Sequence, residues 1–503
     1  MKNKTADKLI VILITLIIFA FPFLLITIFL SPVFLILLVS PASSILYLLI
    51  KIKNKNKKQN GTHSNSLKYG RIIRFPFIIV GFALIPLIVS FAIAFTEGID
   101  YYTVIILMGV SALFVTTSFF IPLSVFEKYF TKKDNTVFFF PPVTIIIPAY
   151  NEENGITRTL DSLVEVDYPN KEVIVVDDGS TDRTYQIALR HKNKFQNKGI
   201  TYSVFQKKNG GKSSAINYAT RLSQNEIIVV IDADSVINRN AIKSLSKHFY
   251  DDDVVAVGGY IRGLDFNSNN VLQNCTTLEL VNAVNVTGRA YGLLGSVMIV
   301  PGALGAFRKR TVIQRGMYDK DNITEDFDIT VKILKSGGKV KFEEEALTYT
   351  EIPNNLKNLY NQRKRWNVGN IRTLTKHANI LSNSSYGFLH QFGYPMTLLL
   401  FIYRPIWSTI VPVAIVLSII YGIYIPVVLS LMMFLSLSFL LSVISIIMDE
   451  QKGRSKLVLY SPLMVIGYQQ ILDIIIIKSI LDVLFRRNVK WASIKRIKRI
   501  KRP

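Results

Sequence analysis

Paired carboxylates follow two apolar runs of the chain, and this combination suits a metal ion or a diphosphate. VIVVDDGSTD contains Asp177 and Asp178, and VVIDADS contains Asp232 and Asp234. In an extended backbone, residues i and i+2 point to the same side, so Asp232 and Asp234 would repel each other unless a cation lay between them. Mg²⁺ and Mn²⁺ prefer such oxygen ligands and also bind phosphate oxygens. The two motifs therefore favour a metal-assisted site for a phosphorylated ligand.

Part of the first motif has a simpler explanation. Ser180, Thr181 and Asp182 are residue types that cap a helix after a tight turn. Capping does not explain two adjacent acids at the end of a buried strand, where one of the two side chains must point inward. We therefore expect a binding role for the acids and a capping role for the residues after them.

A glycine-rich loop, QKKNGGKSSAIN (206–217), lies between the two acidic motifs. A P-loop would need glycine at position 206, where this chain has Gln206. Lys212 near a helix start could still meet a phosphate, and the alternative is a flexible loop with a solvated lysine. Further on, PGALGAFRKR (301–310) would admit a flat ligand such as a sugar chain, although a packing turn explains it equally well.

Two later motifs each have an ordinary structural interpretation. Glu325 and Asp326 would open a helix capped by Thr324 or Asn322, where acids interact favourably with the helix dipole. YNQRKRW (360–366) sets three cations beside a tryptophan and ahead of a long apolar tail, as in a basic patch facing anionic lipid headgroups. Only the acidic motifs upstream give these two segments a second interpretation, as parts of one active site.

The segments that carry these motifs alternate between strand and helix patterns. The predicted strands are rich in β-branched residues and cover 143–148, 172–178, 201–205, 226–234 and 253–259. Apolar strands separated by helices favour a mostly parallel α/β sheet covered on both faces. Ligands of such sheets bind beyond the carboxyl ends of the strands, where PAYNE, DDGSTD and DADS lie.

Apolar residues are concentrated on both sides of this region. The segments 9–50, 71–95, 103–127, 396–448 and 457–485 are almost wholly apolar, and about 18 such residues suffice to cross a bilayer. The formal net charge is +24, but each basic cluster adjoins an apolar segment, which is the positive-inside pattern and argues against nucleic acid as a partner. The single cysteine, Cys275, excludes an intramolecular disulfide and suits a cytoplasmic domain.

These patterns predict four parts of a multi-pass cell-membrane protein. Residues 1–130 would form about four transmembrane helices in two hairpins with a basic loop at 51–72, and 138–375 a cytoplasmic catalytic domain. Residues 385–486 would form about three interfacial and transmembrane helices before a basic cytoplasmic tail at 487–503. A single crossing at the end would put that tail outside, so we expect 457–470 or 388–403 to lie in the interface or to re-enter.

The ordered set of D-D-G (177–179), D-A-D (232–234), T-E-D (324–326) and Q-R-K-R-W (362–366) resembles the processive membrane glycosyltransferases of family two. These include cellulose, chitin, hyaluronan and poly-N-acetylglucosamine synthases. The resemblance covers roughly 140–370 and implies a GT-A fold, that of nucleotide-diphospho-sugar transferases. It also implies a UDP-sugar donor, Mg²⁺ or Mn²⁺, a growing polysaccharide acceptor and accessory export subunits as partners.

The resemblance also assigns roles to matching residues. Asp326 corresponds to the catalytic base, with Glu325 beside it, and Asp234 corresponds to the metal ligand. The tryptophan of Q-x-x-R-W would lie under the acceptor sugar and its arginine would face the diphosphate. The expected substrate-binding residues are Tyr150, Glu152, Asp177, Asp178, Lys212, Asp232, Gln362, Arg365 and Trp366.

Departures from family patterns narrow the expected product. The segment QNCTTLEL (273–280) lacks the Q-x-x-E-Y found near hyaluronan synthases, and no F-x-V-T-x-K segment of the cellulose synthases follows Trp366. NGGKSSAIN is closer to poly-N-acetylglucosamine or chitin-type synthases. We therefore expect an inverting enzyme that polymerises a UDP-sugar, UDP-GlcNAc first among them, into a β-linked polysaccharide and exports it. The alternative is transfer of one sugar to a polyprenyl phosphate or another lipid.

Overall fold

The computed structural model describes residues 101–131, 139–264, 269–449 and 454–487. The predicted hairpins before residue 101, the basic loop 51–72 and nearly all of the tail 487–503 lie outside the described residues. Contacts divide the chain into two compact units. One comprises Met1–Lys132, Val281–Leu294 and Ala378–Lys478, and the other comprises Lys133–Leu280, Gly295–His377 and Ser479–Pro503.

The strands belong to a single eight-stranded sheet in the second unit. They are β1 (Val143–Ala149), β2 (Lys171–Asp177), β3 (Thr201–Gln206), β4 (Ile227–Val230), β5 (Val236–Ile237), β6 (Val254–Gly263), β7 (Gly305–Arg308) and β8 (Lys339–Thr350). Their order across the sheet is β3-β2-β1-β4-β7-β6-β8-β5.

The helices are distributed over both units. The α-helices are α1 (Tyr101–Phe130), α2 (Ile156–Val164), α3 (Thr184–Arg190), α4 (Lys192–Gln196), α5 (Lys212–Leu222), α6 (Ala241–Ser246), α7 (Val271–Asn282), α8 (Arg289–Leu293), α9 (Lys309–Gln314), α10 (Glu325–Leu334), α11 (Leu356–Lys376), α12 (Tyr394–Leu398), α13 (Arg404–Ile420), α14 (Tyr424–Met448), α15 (Ser461–Leu463) and α16 (Gln469–Leu484). Short 3₁₀ or π segments cover Lys247–Tyr250, Ala283–Gly288, Ala378–Ser382, Ser384–Tyr386, Leu389–Gly393, Leu399–Tyr403, Ser455–Tyr460 and Met464–Tyr468.

The sheet is mostly parallel, as the sequence predicts. β1 pairs in parallel with β2 and β4, and β2 with β3, so β3-β2-β1-β4 form a parallel block. Beyond β4, β6 and β8 also pair in parallel. The short strands β7 and β5 are the exceptions, because β7 runs antiparallel to both β4 and β6, and β5 antiparallel to β8. The sequence did not predict these two reversed strands.

The core of the second unit follows from the β-branched strands. All seven residues of β1 and all four of β4 are buried, which is expected for strands covered by helices on both faces. Each fully buried Val or Ile contributes about 1.5–3 kcal/mol relative to leaving it exposed. This core fixes the strand ends from which the candidate site residues project.

The first unit has the composition of a membrane-spanning bundle. Among the described residues, three helical stretches are long and apolar enough to cross a bilayer, namely Leu389–Ile420, Ser430–Met448 and Ser455–Leu484. Large apolar side chains on them are exposed, including Val413 at 57% and Met432 at 60%, as expected for lipid-facing positions. The last stretch bends at Ile466 and Gly467, inside the segment 457–470 for which the sequence predicts an interfacial or re-entrant path.

Candidate active site

Three loops leave the same edge of the parallel block. Ala149 at the end of β1 pairs with Asp177 at the end of β2, and Ile146 of β1 pairs with Val230 at the end of β4. Parallel strands present their carboxyl ends at one edge, so PAYNE, D-D-G and D-A-D start side by side. The sequence-predicted strand ends are therefore gathered as expected.

The two acids of D-D-G have different partners. Asp177 is fully buried and accepts hydrogen bonds from the Ser180 hydroxyl and amide and from Gln206 Nε2, the last at 2.9 Å. Asp178 accepts the amides of Gly210 at 3.1 Å and Gly211 at 2.6 Å. Asp177 thus stabilises its own turn, and Asp178 shapes the glycine loop that leads to Lys212.

The loop after β1 is fastened to the residues after D-D-G. Asn151, at φ +55°, donates its amide to Ser180 Oγ at 2.9 Å and accepts the Thr181 amide at 2.9 Å. Glu152 donates its amide to Thr184 Oγ1 at 2.7 Å. Tyr150 is 45% exposed, so its ring is accessible to a ligand at this edge.

Of Ser180, Thr181 and Asp182, only Asp182 bonds to a backbone amide at the start of α3. Asp182 Oδ1 accepts the amide of Thr184, the first residue of α3, at 2.9 Å. Ser180 and Thr181 instead bond to Asp177 and Asn151, so their predicted capping role is wrong. Their short side chains are used to join two loops of the site edge.

Lys212 is the central cation of the candidate site. It is the first residue of α5, and its Nζ lies 2.6 Å from Asp232 Oδ1 and 2.6 Å from Glu325 Oε1. Burial alone lowers the pKa of Lys212, but the carboxylates of Asp232, Glu325 and Asp326 together raise it well above its usual value. The alternative of a solvated lysine is wrong, because this side chain is only 20% exposed and its ammonium group is paired with acids from two motifs distant in sequence.

Gly302 is a site residue that the sequence did not single out. A Cβ atom at this position would lie 2.7 Å from Lys212 Nζ, 3.5 Å from Glu325 Oε1 and 3.8 Å from Asp232 Oδ1. Its amide also approaches Asp326 Oδ2 at 3.4 Å. Gly305 in the same segment faces the core, since its Cβ would lie 2.5 Å from Val300 Cγ1. The packing interpretation of PGALG is therefore correct for Gly305, and close approach of a ligand at Gly302 stays a prediction.

The two glycines allow a paired test of that distinction. Gly302→Ala should displace Lys212 and lower activity about tenfold or more with little change in melting temperature, because the collision involves the end of a flexible side chain. Gly305→Ala should instead lower the melting temperature by several degrees, roughly 2–4 °C per kcal/mol lost. Thermal unfolding and donor turnover, measured on both variants, check the pair; equal loss of stability in both would contradict the assignment of Gly302 to the site.

Asp326 is an acid in an unfavourable environment for its charge. α10 begins at Glu325, after Thr324, as the sequence predicts, but the Thr324 side chain makes no capping hydrogen bond, so the predicted capping role is wrong. Burial and the neighbouring Glu325 raise the pKa of Asp326 to about 6, although Lys212 and the amides of Phe327 and Gly302 act in the opposite direction. A carboxyl group with such a pKa can accept a proton near neutral pH.

The buried Tyr318 is a second group that the sequence did not predict near these acids. Its backbone is held by Asn217, which donates to the Tyr318 carbonyl at 2.8 Å and accepts its amide at 3.0 Å. Burial, together with Glu325 and Asp326, raises the pKa of Tyr318 far above its usual value. No motif surrounds this tyrosine, so only the fold reveals its place beside the acids.

D-A-D lies in a turn and not in a strand. β4 ends at Val230, so the argument from an extended backbone at Asp232 and Asp234 is wrong. The turn is held by Thr159 Oγ1, which donates to the Ala233 carbonyl at 2.8 Å. Even so, burial and the charge of Asp232 raise the pKa of Asp234 to about 7, so the expected repulsion between the acids is present.

The described residues contain no group of three or more His, Cys, Asp and Glu side chains arranged to hold a metal ion. The carboxylates of D-A-D, those of Asp232 and Asp234, are the protein groups that we expect to bind a metal ion at this edge. Mg²⁺ commonly keeps several waters and uses one or two carboxylates together with substrate phosphates, so two acids suit a shared metal–diphosphate site. Asp234 as a metal ligand stays a prediction.

The basic motif lies on α11, which packs against the start of α10. A Cβ atom on Gly369 would lie 2.5 Å from Thr324 Oγ1, so the backbone of α11 at Gly369 lies directly against the Thr324 side chain. Trp366 is three residues before Gly369, about one helical turn away on the same face. Gln362 lies one further turn back, and its buried Oε1 accepts no hydrogen bond from the part of the chain that the structure describes.

The middle cations of the motif are engaged within the protein. Arg363 Nη2 contacts Glu279 Oε2 at 2.7 Å, and its guanidinium lies 4.5 Å from the centre of the Trp366 ring. Lys364 Nζ lies 2.8 Å from Asp482 Oδ2. The expectation that Arg363 and Lys364 form a basic patch on the membrane surface is therefore wrong; each neutralises an acid of its own unit.

A cavity of about 400 Å³ lies away from these acids. It is at the amino ends of β2 and β3, and its lining includes the basic side chains of Lys171, Lys198, Arg239 and Lys243. Asp167 lies among them and pairs with Lys243 at 2.6 Å. Because its lining is basic, this cavity is the alternative binding site for an anionic ligand, and the acidic edge is the other.

Residues 144–315 match the family described as Glycosyl transferase family 2. These residues therefore form a family 2 glycosyltransferase domain. The chain is 28% identical, over 235 residues, to poly-beta-1,6-N-acetyl-D-glucosamine synthases of Staphylococcus aureus strain MSSA476 and of Staphylococcus epidermidis. Each match covers 46% of this chain and 56% of the relative, so the chain spans about half the length of the curated relatives it matches.

A solved structure resembles the glycosyltransferase over a longer stretch. It is the mannosyltransferase PcManGT from Pyrobaculum calidifontis in complex with GDP-Man and Mn²⁺, with a TM-score of 0.56 and 20% sequence identity. The match covers 77% of this chain and 100% of that chain. The predicted GT-A fold and the resemblance to membrane glycosyltransferases of family two are confirmed.

Proposed function

We propose that this glycosyltransferase is a membrane-bound inverting enzyme that polymerises UDP-GlcNAc into a β-linked polysaccharide and passes the chain across the membrane. The observation that carries the proposal is the meeting of Lys212, Asp232 and Glu325 beneath Gly302, next to the acid Asp326. The names of the staphylococcal relatives, which make poly-beta-1,6-N-acetyl-D-glucosamine, favour UDP-GlcNAc over other UDP-sugars.

The donor would bind along the edge of the parallel block. Tyr150, Glu152 and Asp178 would border the uridine, and Asp232 would contact the nucleotide. Asp177 would support this site indirectly, because its carboxylate is fully buried and holds the D-D-G turn. Lys212 would exchange part of its contact with Asp232 and Glu325 for the diphosphate, since a buried ammonium group with two acid partners is held in place for a third anion. The absence of a side chain at Gly302 leaves room beside that ammonium group.

The two acids of the D-A-D motif would suit a divalent ion. Asp232 and Asp234 offer carboxylate oxygens, and the raised pKa of Asp234 reflects burial and a like charge that a cation would offset. We propose that Asp234 holds Mg²⁺ or Mn²⁺ together with the donor. When bound, the ion would neutralise charge on the departing diphosphate.

Asp326 would act as the general base. It takes the proton from an acceptor hydroxyl whose oxygen attacks the anomeric carbon, while the bond from that carbon to the diphosphate oxygen breaks and UDP leaves. Attack opposite to the leaving group inverts the anomeric configuration, and no covalent enzyme intermediate forms. Glu325 would assist by keeping Lys212 in place and by raising the pKa of Asp326.

The acceptor would be held by the motif on α11. The face of Trp366 suits the apolar C–H side of a sugar ring, and Arg365 would face the diphosphate as charge develops there. Gln362 would bind the acceptor through its buried amide oxygen. A growing polysaccharide is then the natural acceptor, and accessory export subunits would act after it leaves this site.

The membrane gives the polymer its exit. The three apolar stretches after the catalytic domain are long enough to cross the bilayer, and the polymer would pass among them. We propose that the catalytic domain, 138–375, faces the cytoplasm, where nucleotide sugars are made, with the helices of 385–486 and the basic tail 487–503 following it.

The raised pKa of Asp326 makes a pH prediction. A base works only when deprotonated, so kcat for sugar transfer at saturating donor should fall as the pH drops through about 6 and level off above about 7. Glu325→Gln removes the like charge that raises the pKa of Asp326. The fall in the transfer rate of this variant should therefore occur at lower pH than in the parent. The measurement is initial transfer rate from pH 5 to 8.5; a fall at the same pH in Glu325→Gln would contradict the assignment to Asp326.

The nature of the product separates the proposal from its alternative. Purified protein in detergent, given single radiolabelled UDP-sugars and Mn²⁺, should convert UDP-GlcNAc into a polymer that a hexosaminidase specific for the linkage digests. A monosaccharide product that extracts into organic solvent would establish transfer to a polyprenyl phosphate or another lipid and overturn the polymerase assignment.

A further inference from the structure

One face of α11 is fastened to the start of α10 at two levels. The close contact of Gly369 with Thr324 forms the first. One turn further along α11, Asn322 Nδ2 donates to Thr373 Oγ1 at 2.7 Å. Both contacts involve the residues immediately before Glu325 and Asp326.

A third level is a buried ionic cluster at the end of α11. Asp328, fully buried on α10, accepts from Lys376 Nζ at 2.7 Å and from His377 Nε2 at 3.0 Å, both through Oδ1. Lys332 Nζ lies 3.4 Å from Oδ2 of the same carboxylate. Lys335 Nζ lies 3.3 Å from His377 Nδ1, an arrangement that fits a neutral imidazole donating from Nε2 to Asp328.

These contacts share a stripe of α11 with the acceptor motif. Gln362, Trp366, Gly369, Thr373 and Lys376 follow one another at intervals of four and three residues, which places them on one face of a helix. The C-terminal half of this stripe contacts α10, and the N-terminal half carries Q-x-x-R-W. A rotation or shift of α11 against α10 would therefore move Trp366 relative to Asp326.

We propose that Asp328 and His377 are positioning residues that lock the base-bearing helix α10 to the acceptor-binding helix α11, so that proton removal and acceptor alignment stay in register. The inference rests on the proposed roles of Asp326 and Trp366. Neither Asp328 nor His377 contacts substrate in this scheme; both act through the helices that they join. We call the cluster of Asp328, Lys376 and His377 the helix lock.

The chemistry of the helix lock supports a fixed geometry. Burial alone raises the pKa of Asp328, but hydrogen bonds from His377 and Lys376 hold it well below its usual range, so the carboxylate is ionised throughout the neutral range. Removing one partner from a buried ion pair leaves an uncompensated charge, whereas a pair kept intact resists displacement. The two helices are thus joined by a contact that is costly to stretch.

Two substitutions of the same residue test the lock. His377→Leu removes the donor to Asp328, and His377→Gln keeps an N–H group that can reach it. Misplacement by about 1 Å can cost about 10²-fold in a bimolecular transfer. We expect the ratio of sugar transfer to donor hydrolysis to fall about tenfold or more in His377→Leu and to stay within about threefold of the parent in His377→Gln, because water needs no alignment by Trp366.

A matched control separates positioning from general stability. His191 is also buried beside an acid, with Nε2 at 3.4 Å from Asp161 Oδ1, but it lies at the end of α3, away from α10 and α11. His191→Leu should lower the melting temperature without changing the transfer-to-hydrolysis ratio. If His377→Leu does not fold, Asn322→Ala weakens the same helix pair at its partly buried edge and should lower the ratio in the same direction.

A double substitution tests whether the helix lock acts through Trp366, and the parent enzyme tests the proposed function itself. If the lock acts through Trp366, adding His377→Leu to Trp366→Ala should lower the transfer ratio by much less than it does in the parent. An unchanged ratio in both His377→Leu and Asn322→Ala, in a parent that transfers sugar, would overturn the lock. Failure of the parent to make polymer would instead overturn the proposed function, and the same ratio can then be measured with a lipid acceptor.

Discussion

Asp326→Asn should lower sugar transfer by about 10³-fold or more while the affinity for UDP stays within about threefold of the parent. The amide keeps the size of the side chain but cannot accept the proton of the acceptor hydroxyl. In the proposed site, UDP would contact the edge formed by Asp178, Lys212 and Asp232, which this substitution leaves intact. Radiolabelled transfer and calorimetric titration of UDP in the presence of Mn²⁺ measure the two quantities.

Two controls test whether the loss of transfer in Asp326→Asn comes from the lost base and not from misfolding. Asp321→Asn makes the same chemical change on an exposed aspartate of the preceding loop and should leave transfer unchanged. Because burial and Glu325 raise the pKa of Asp326, the folded protein disfavours its charge, and Asp326→Asn should melt no lower than the parent at pH 7.5. Loss of UDP binding in a folded Asp326→Asn protein would contradict the assigned role.

Trp366→Ala should impair elongation far more than donor hydrolysis. Removing the ring takes away the surface on which the acceptor sugar would align, so we expect elongation to fall about 10–100-fold and hydrolysis of UDP-GlcNAc to fall less than about threefold. Product length and free GlcNAc, measured in the same reaction, give both rates.

The control for Trp366 is an aromatic replacement. The Trp366 ring also lies against the guanidinium of Arg363, so its removal disturbs a neighbour as well as the acceptor. Trp366→Phe keeps a flat apolar face and should retain most of the elongation rate. Equal loss of elongation and hydrolysis in Trp366→Ala would show that the tryptophan is a packing residue.

The sequence was most informative where chemistry and pattern coincided. β-branched runs correctly predicted β1, β2, β3 and β4. They also predicted that PAYNE, D-D-G and D-A-D, which follow β1, β2 and β4, meet at one edge, since parallel strands share their carboxyl ends. The lysine of the glycine loop was predicted only as one of two alternatives. Its contacts with Asp232 and Glu325 join segments that are distant along the chain, and no local pattern specifies them.

Other features depended on tertiary packing that the sequence does not display. Gly302 and Gly305 lie three residues apart in one small-residue segment, yet one faces the acids and the other the core. Arg363 and Lys364 carry the composition of a lipid-facing patch, but Glu279 and Asp482 bind them. The antiparallel β7 is four residues long and is defined by its neighbours β4 and β6, which is why this reversed strand was not predicted.

The location of the bound nucleotide tests the central claim most directly. A cryo-electron microscopy map of the purified full-length protein with UDP and Mn²⁺ should show the diphosphate beside Lys212 and Gly302, with the ion at Asp234 and the uridine along Tyr150 and Asp178. Density for UDP in the basic cavity of Lys171, Lys198, Arg239 and Lys243, at the other edge of the sheet, would contradict the assignment of the active site.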